Sequence, residues 1–220
     1  MYSYQLIKNH YIVGIEGGLY IVDAGAPSSY IRAREITING KRFYTASLNE
    51  SQLAPIRELV GADVDGFIGA DILTQTSLTI YKNGKMEFAP SEVEGNIVPF
   101  VKGQPWPLGV SCTLAGEKKA VALIDTGAMI YYGKYPAYFT AKDFVGEWED
   151  YNPNLGKMKT KFYNQTLKIA GKTITAPVGN SAAVARYALG YYQAAVILNV
   201  TELFDETVVF DYGRRCLIVK

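Results

Sequence analysis

Leu19-Tyr20-Ile21-Val22-Asp23-Ala24-Gly25-Ala26 returns about a hundred residues later as Val121-Ala122-Leu123-Ile124-Asp125-Thr126-Gly127-Ala128. In each copy a short apolar run delivers one Asp to a Gly turn, the pattern of a buried strand that ends in a tight loop. An Asp before Gly often does no more than cap a turn with its own side chain. That explanation covers either copy alone but not their recurrence.

The repetition continues in register on either side of these runs. Ile36-Thr37-Ile38-Asn39-Gly40-Lys41 matches Leu167-Lys168-Ile169-Ala170-Gly171-Lys172 at a shift of 131, whereas the two Asp are shifted by 102. Gly66-Phe67-Ile68-Gly69 matches Val196-Ile197-Leu198-Asn199, and Leu78-Thr79-Ile80-Tyr81 matches Val208-Val209-Phe210-Asp211, both at 130. The halves therefore differ by one insertion of 29 residues, placed between the second Asp and the hairpin that follows it.

Between these anchors the chain reads as short strands broken by Gly, Asn and Pro. Strands are expected at Tyr11 to Gly14, Leu19 to Val22, Glu35 to Ile38 and Lys41 to Tyr44, and then at Leu78 to Tyr81 and Lys85 to Phe88. In the second half they are expected at Val110 to Leu114 and Ala120 to Ile124. Asn39-Gly40 is a strong two-residue hairpin signal, since both positions must tolerate positive φ. Short helices are expected at Glu50 to Val60, capped by Asn49 or Ser51, and at Ala70 to Gln75. Ala89 to Gly109, with four Pro, reads as the connection between two lobes.

The 220 residues suffice for a core, and 49% hydrophobic with 20% charged residues describes a globular chain. A net charge of +1 without a Lys/Arg cluster argues against a nucleic-acid partner. No run reaches the ~20 apolar residues of a membrane span. The N-terminus lacks the order of a signal peptide and reads as the start of the fold, which points to the cytoplasm if the chain is complete. The single His10 leaves little room for Ser-His-Asp or Cys-His catalysis or a His-rich zinc site, and reads as a strand-edge residue. Cys112 and Cys216 could form one bridge, but their apolar strand contexts favour buried thiols.

Taken together, these residues resemble the aspartic peptidases, both the pepsin-like and the retropepsin-like kind. The first half offers Asp23-Ala24-Gly25 with Phe67-Ile68-Gly69; the second offers Asp125-Thr126-Gly127 with Ile197-Leu198-Asn199. The resemblance implies an all-β, acid-protease-like bilobal β-barrel fold made by internal duplication, with short helices. Its halves would be residues 1–95, carrying Asp23, and 96–220, carrying Asp125 and a flap. It also implies Asp23 and Asp125 as the catalytic pair and an aspartic endopeptidase acting on polypeptide in an interlobe cleft, as a monomer, with no metal or cofactor.

Two carboxyls within hydrogen-bond reach cannot both ionise, so they share a proton and can serve one water as base and acid. Gly25 and Gly127 would let the backbones approach, and Thr126 would hydrogen-bond across the junction. The chain departs from the family pattern in three places. Ala24 lacks the matching hydroxyl. Asn199 replaces a Gly, which is acceptable if that position needs positive φ. The first half has too few residues after Asp23 for a lid, so the insertion in the second half reads as the only flap. Its expected substrate contacts are Trp148, Tyr151, Leu155 and Gly156, with Asn154-Leu155-Gly156 near the tip. Ile130, Tyr131, Tyr132 and Phe67 would suit apolar side-chain pockets. Ala24 and the missing lid also motivate an alternative, a catalytically inactive peptide-binding or assembly module.

Overall fold

The computed structural model describes residues 1–102, 108–114, 118–133, 141–152, 156–180, 189–190 and 193–220. It is mostly β with few helices. β1 (Tyr2–Ile7), β2 (His10–Ile15) and β3 (Gly18–Val22) form an antiparallel meander. After the Asp23 turn come β4 (Tyr30–Ile31), the hairpin of β5 (Glu35–Ile38) and β6 (Lys41–Tyr44), and β7 (Ala46–Ser47), which runs parallel to β4. Asn39 and Gly40 take φ of 53° and 77°, as a two-residue hairpin turn demands.

Helix α1 (Glu50–Val60) spans the expected residues. Asn49 caps it in a reciprocal box with Gln52, and Gly61 ends it in the left-handed conformation. β8 (Gly66–Ile68) then enters between β3 and β4, parallel to the first and antiparallel to the second. α2 (Ala70–Thr76) leads into the hairpin of β9 (Leu78–Tyr81) and β10 (Lys85–Glu87).

The second half uses similar pairings. After β11 (Asn96–Pro99), strands β12 (Gly109–Leu114) and β13 (Lys118–Ile124) pair antiparallel and deliver Asp125 to its turn. β14 (Tyr131–Gly133) follows, then β15 (Phe144–Asn152), β16 (Gly156–Ile169) and β17 (Lys172–Asn180) as a long meander. β18 (Val196–Leu198) enters between β13 and β14, parallel to the first and antiparallel to the second. β14 runs parallel to β17, as β4 does to β7. Because β12 also pairs with β16, the order β12-β13-β18-β14-β17-β16 closes into a six-stranded barrel without a free edge. Along β17, Ile174, Ala176 and Val178 face the core while Thr173, Thr175 and Pro177 stay outside, the alternation that closure requires.

β19 (Thr207–Asp211) and β20 (Cys216–Val219) complete a sheet shared by both halves, ordered β11-β20-β19-β9-β10-β1. Its centre is the antiparallel pair β9 and β19, where Thr79 lies opposite Val209. These strands are buried along their length, so they read as continuous apolar runs rather than alternating ones. One core joins Val13 and Ile68 of the first half to Ile124 and Leu198 of the second.

One expectation needs correction. Ala89 to Gly109 is not a plain connection: Asn96–Pro99 is an edge strand on β20, and Phe100 bridges to Val110. Neither local periodicity nor Pro content reveals this strand, because its partner lies more than a hundred residues away. His10 stands at the edge of its strand, as expected, opening β2, and is buried there. Cys112 and Cys216 are buried free thiols, the former with its pKa pushed up to about 11 by burial. Among the described residues no helix is long and apolar enough to cross a membrane.

Candidate active site

Each Asp sits where its strand leaves the sheet, and the entering strand fixes its backbone. The N–H of Asp23 donates to the Ile68 carbonyl at 2.9 Å, and that of Asp125 to the Leu198 carbonyl at 2.8 Å. β8 and β18 thus do the same work in the two halves, holding each Asp at the end of a parallel pair.

The turns then fold back on the carboxyls. Asp23 Oδ1 accepts from the N–H groups of Gly25 and Ala26, both at 2.9 Å, and Asp125 Oδ1 from Gly127 N–H at 2.9 Å. The two carboxyls meet across the junction, close enough to couple. Each also rests on the glycine of the opposite half. A Cβ on Gly127 would lie 2.6 Å from the Asp23 carboxyl oxygens, and one on Gly25 would overlap the Asp125 carboxyl. The glycines are needed for close approach; neither requires an unusual φ.

Both carboxyls keep some exposed surface yet lie deep among protein atoms, and burial is the first reason that both pKa values rise. Asp125 is raised further by the charge of Asp23, while Asp23 is held down by its contact with Asp125, by the Ala26 and Gly25 N–H groups, and least by nearby His10. Two carboxyls coupled in this way titrate as a pair, the charge of one opposing ionisation of the other.

Thr126 crosses the junction. Its buried hydroxyl donates to the Val22 carbonyl at 2.6 Å and accepts from Ala24 N–H at 2.8 Å. Ala24 is fully buried and has no hydroxyl with which to return the contact.

Asn199 overturns the expected reason for its tolerance. The corresponding Gly69 has φ −94°, which is extended, and Asn199 is not among the described residues with positive φ. What Gly69 supplies is space, since a Cβ there would meet the Ser28 carbonyl at 2.7 Å. The second half has room for a side chain at this place and fills it with a hydrogen-bonding amide.

The inserted segment forms the β15–β16 hairpin. Tyr151 lies on β15 opposite Lys157, and Gly156 opens β16 opposite Asn152. Leu155, with Asn154, lies outside the described residues. Trp148 is partly exposed and stands edge-on to the buried Phe162, ring centroids 4.3 Å apart. A cavity of about 350 Å³ opens here. Trp148, Glu149 and Phe162 form one wall and Met129, Ile130 and Tyr131, just beyond the Asp125 turn, another; Glu202 and Asn9 also line it. Of the expected apolar contacts, Ile130 and Tyr131 reach this cavity. Tyr132 packs within against Phe162, and Phe67 lies in the first half against Tyr30.

Asn9 and Glu202 escaped the sequence reading. Nothing near them resembles a site motif; they arrive through the β1–β2 turn and the segment after β18. Neither a protein-family model nor a curated protein matches this chain.

Proposed function

We propose that the chain is an aspartic endopeptidase with an acid-protease-like fold, built from two duplicated halves, residues 1–95 and 96–220. The observation that carries this is the Asp23–Asp125 pair: two half-buried carboxyls from remote strands, close enough to couple, each against the other half's glycine. Duplication is supported by β8 and β18 entering alike, and by the central sheet. There Thr79 faces Val209, its counterpart at the repeat shift of 130, so a pseudo-twofold axis would pass between them.

In this reading ionised Asp23 takes a proton from a water while Asp125 donates its proton to the scissile carbonyl oxygen. The water oxygen bonds to the carbonyl carbon, giving a neutral tetrahedral diol. Collapse breaks the C–N bond as the amine nitrogen gains the proton held by Asp23, and the diol returns one to Asp125. The β15–β16 hairpin would cover an extended peptide and exclude bulk water.

A second reading, a peptide-binding or assembly module without catalysis, is favoured by Ala24 and by the first half's lack of room for a lid. Only Arg32 to Arg34 separate β4 from β5. The two readings part on one measurement, cleavage of quenched fluorogenic peptides across pH 3 to 8. Peptidase activity on the acidic side, blocked by statine-type inhibitors and reduced ~10²–10⁴-fold or more by Asp23→Asn or Asp125→Asn, is expected. Peptide binding without turnover in the wild type would favour the second reading.

A further inference from the structure

We propose that Asn199 is a positioning residue for the paired carboxyls, fastening the Asp125 turn to the first half in place of the hydroxyl that Ala24 lacks. The inference needs only the pairing of the two Asp, whatever they hydrolyse.

The side chain of Asn199 is fully buried at the end of β18. Its Nδ2 donates to the carbonyls of Asn9 at 2.8 Å, Ala128 at 3.0 Å and Thr126 at 3.2 Å. Its Oδ1 accepts from the N–H and hydroxyl of Thr201 at 3.2 and 3.0 Å. With carbonyls on one side and donors on the other, only one orientation of the amide satisfies both. Thr126 and Ala128 flank the turn that follows Asp125, whereas Asn9 belongs to the β1–β2 turn of the other half. Asn9 adds a second tie, its own Nδ2 donating to the Met129 carbonyl at 3.1 Å.

The first half solves the same problem within itself. Ser29 Oγ accepts from Gly69 N–H at 2.8 Å and donates to Asp71 at 2.6 Å. Its turn also receives the Thr126 hydroxyl from across the junction. By the same symmetry, a hydroxyl at position 24 would have tied the second half's turn to the first. That tie is missing, and the Asn9–Asn199 clamp restores one to the same turn. The two departures from the repeat are therefore one compensated change.

The test is a double-mutant cycle of Asn199→Gly and Ala24→Thr, read by ¹³C NMR titration of the Asp23 and Asp125 carboxyls. His10, the other group whose charge reaches the pair, is followed in the same titration. Asn199→Gly should bring the pair's two titration steps closer by about one pH unit, as expected when interacting sites loosen. Ala24→Thr should change the spacing little alone and recover at least half of it in the Asn199→Gly background. Equal narrowing in both backgrounds, or none, overturns the proposal. If Asn199→Gly does not fold, Asn9→Gly keeps the turn and its carbonyl but removes the tie to Met129. It should then show a smaller narrowing, again recovered by Ala24→Thr, and no recovery overturns the proposal. A wild type inert toward peptides but showing this coupling would support the clamp and reject the peptidase reading.

Discussion

Thr126 shows how one side chain can decide the geometry of a site. Its hydroxyl serves a donor and an acceptor of the opposite half while wholly buried, so removing it strands Ala24 N–H and the Val22 carbonyl away from water. Each stranded group costs about 1–3 kcal/mol. Thr126→Val, nearly equal in shape, should therefore destabilise the protein by roughly 2–6 kcal/mol, whereas Thr126→Ser should retain most of the stability. Denaturant melts would check this. Equal losses for Val and Ser would mean that packing of the methyl group, not the hydroxyl, matters there. The two Asp and their glycines were legible from the repeat alone. The reason for Asn199 was not, because the carbonyls it donates to lie 71 to 190 positions away.

At the scale of elements, the β15–β16 hairpin distinguishes the second half from the first. The repeat placed the insertion, but the pairing of its strands, with a bulge between Phe144 and Gly146, and the packing of Trp148 on Phe162 became visible only in the structure. If the hairpin covers substrate, Trp148→Ala should raise KM for peptides about 5–30-fold, the equivalent of about 1–2 kcal/mol of apolar contact, with kcat nearly unchanged. Steady-state kinetics on a matched peptide would show it, and a fall in kcat alone would place the side chain's role elsewhere. Glu149 and Glu202 on the same cavity lead to the expectation that Lys or Arg is preferred over Glu at the position reaching it. The strand at Asn96–Pro99 was hidden for the opposite reason: an edge strand with Pro and three exposed or half-exposed neighbours carries no alternation to read.

For the whole molecule, the carboxyl pair leaves a mark on stability. Asp125 has a folded pKa well above its ordinary 3.8, first through burial and then through the charge of Asp23. The folded protein thus binds more protons than the unfolded chain once pH exceeds the unfolded value. Stability should be fullest below about pH 4 as far as this group is concerned, and should fall as pH rises toward the folded pKa. Thermal melts of the wild type should decline across that window, and Asp125→Asn, which cannot ionise, should flatten the decline. A wild-type profile with no slope there, or one that Asp125→Asn leaves intact, would contradict a proton held in the pair.

The repeat of apolar run, Asp and Gly turn determined by itself which carboxyls to watch, where hairpins turn and which half carries the insertion. These are local matters: strand propensity, positive φ at Asn39-Gly40 and the smallness of Gly are properties of neighbours in the chain. Only the tertiary structure decided that β12 closes on β16 as a barrel, that both halves share a central sheet, and that Asn9 and Asn199 meet beside the Asp125 turn. Those contacts join residues far apart in sequence, and a buried polar group declares its purpose only when the partner that keeps it from being unsatisfied is in place.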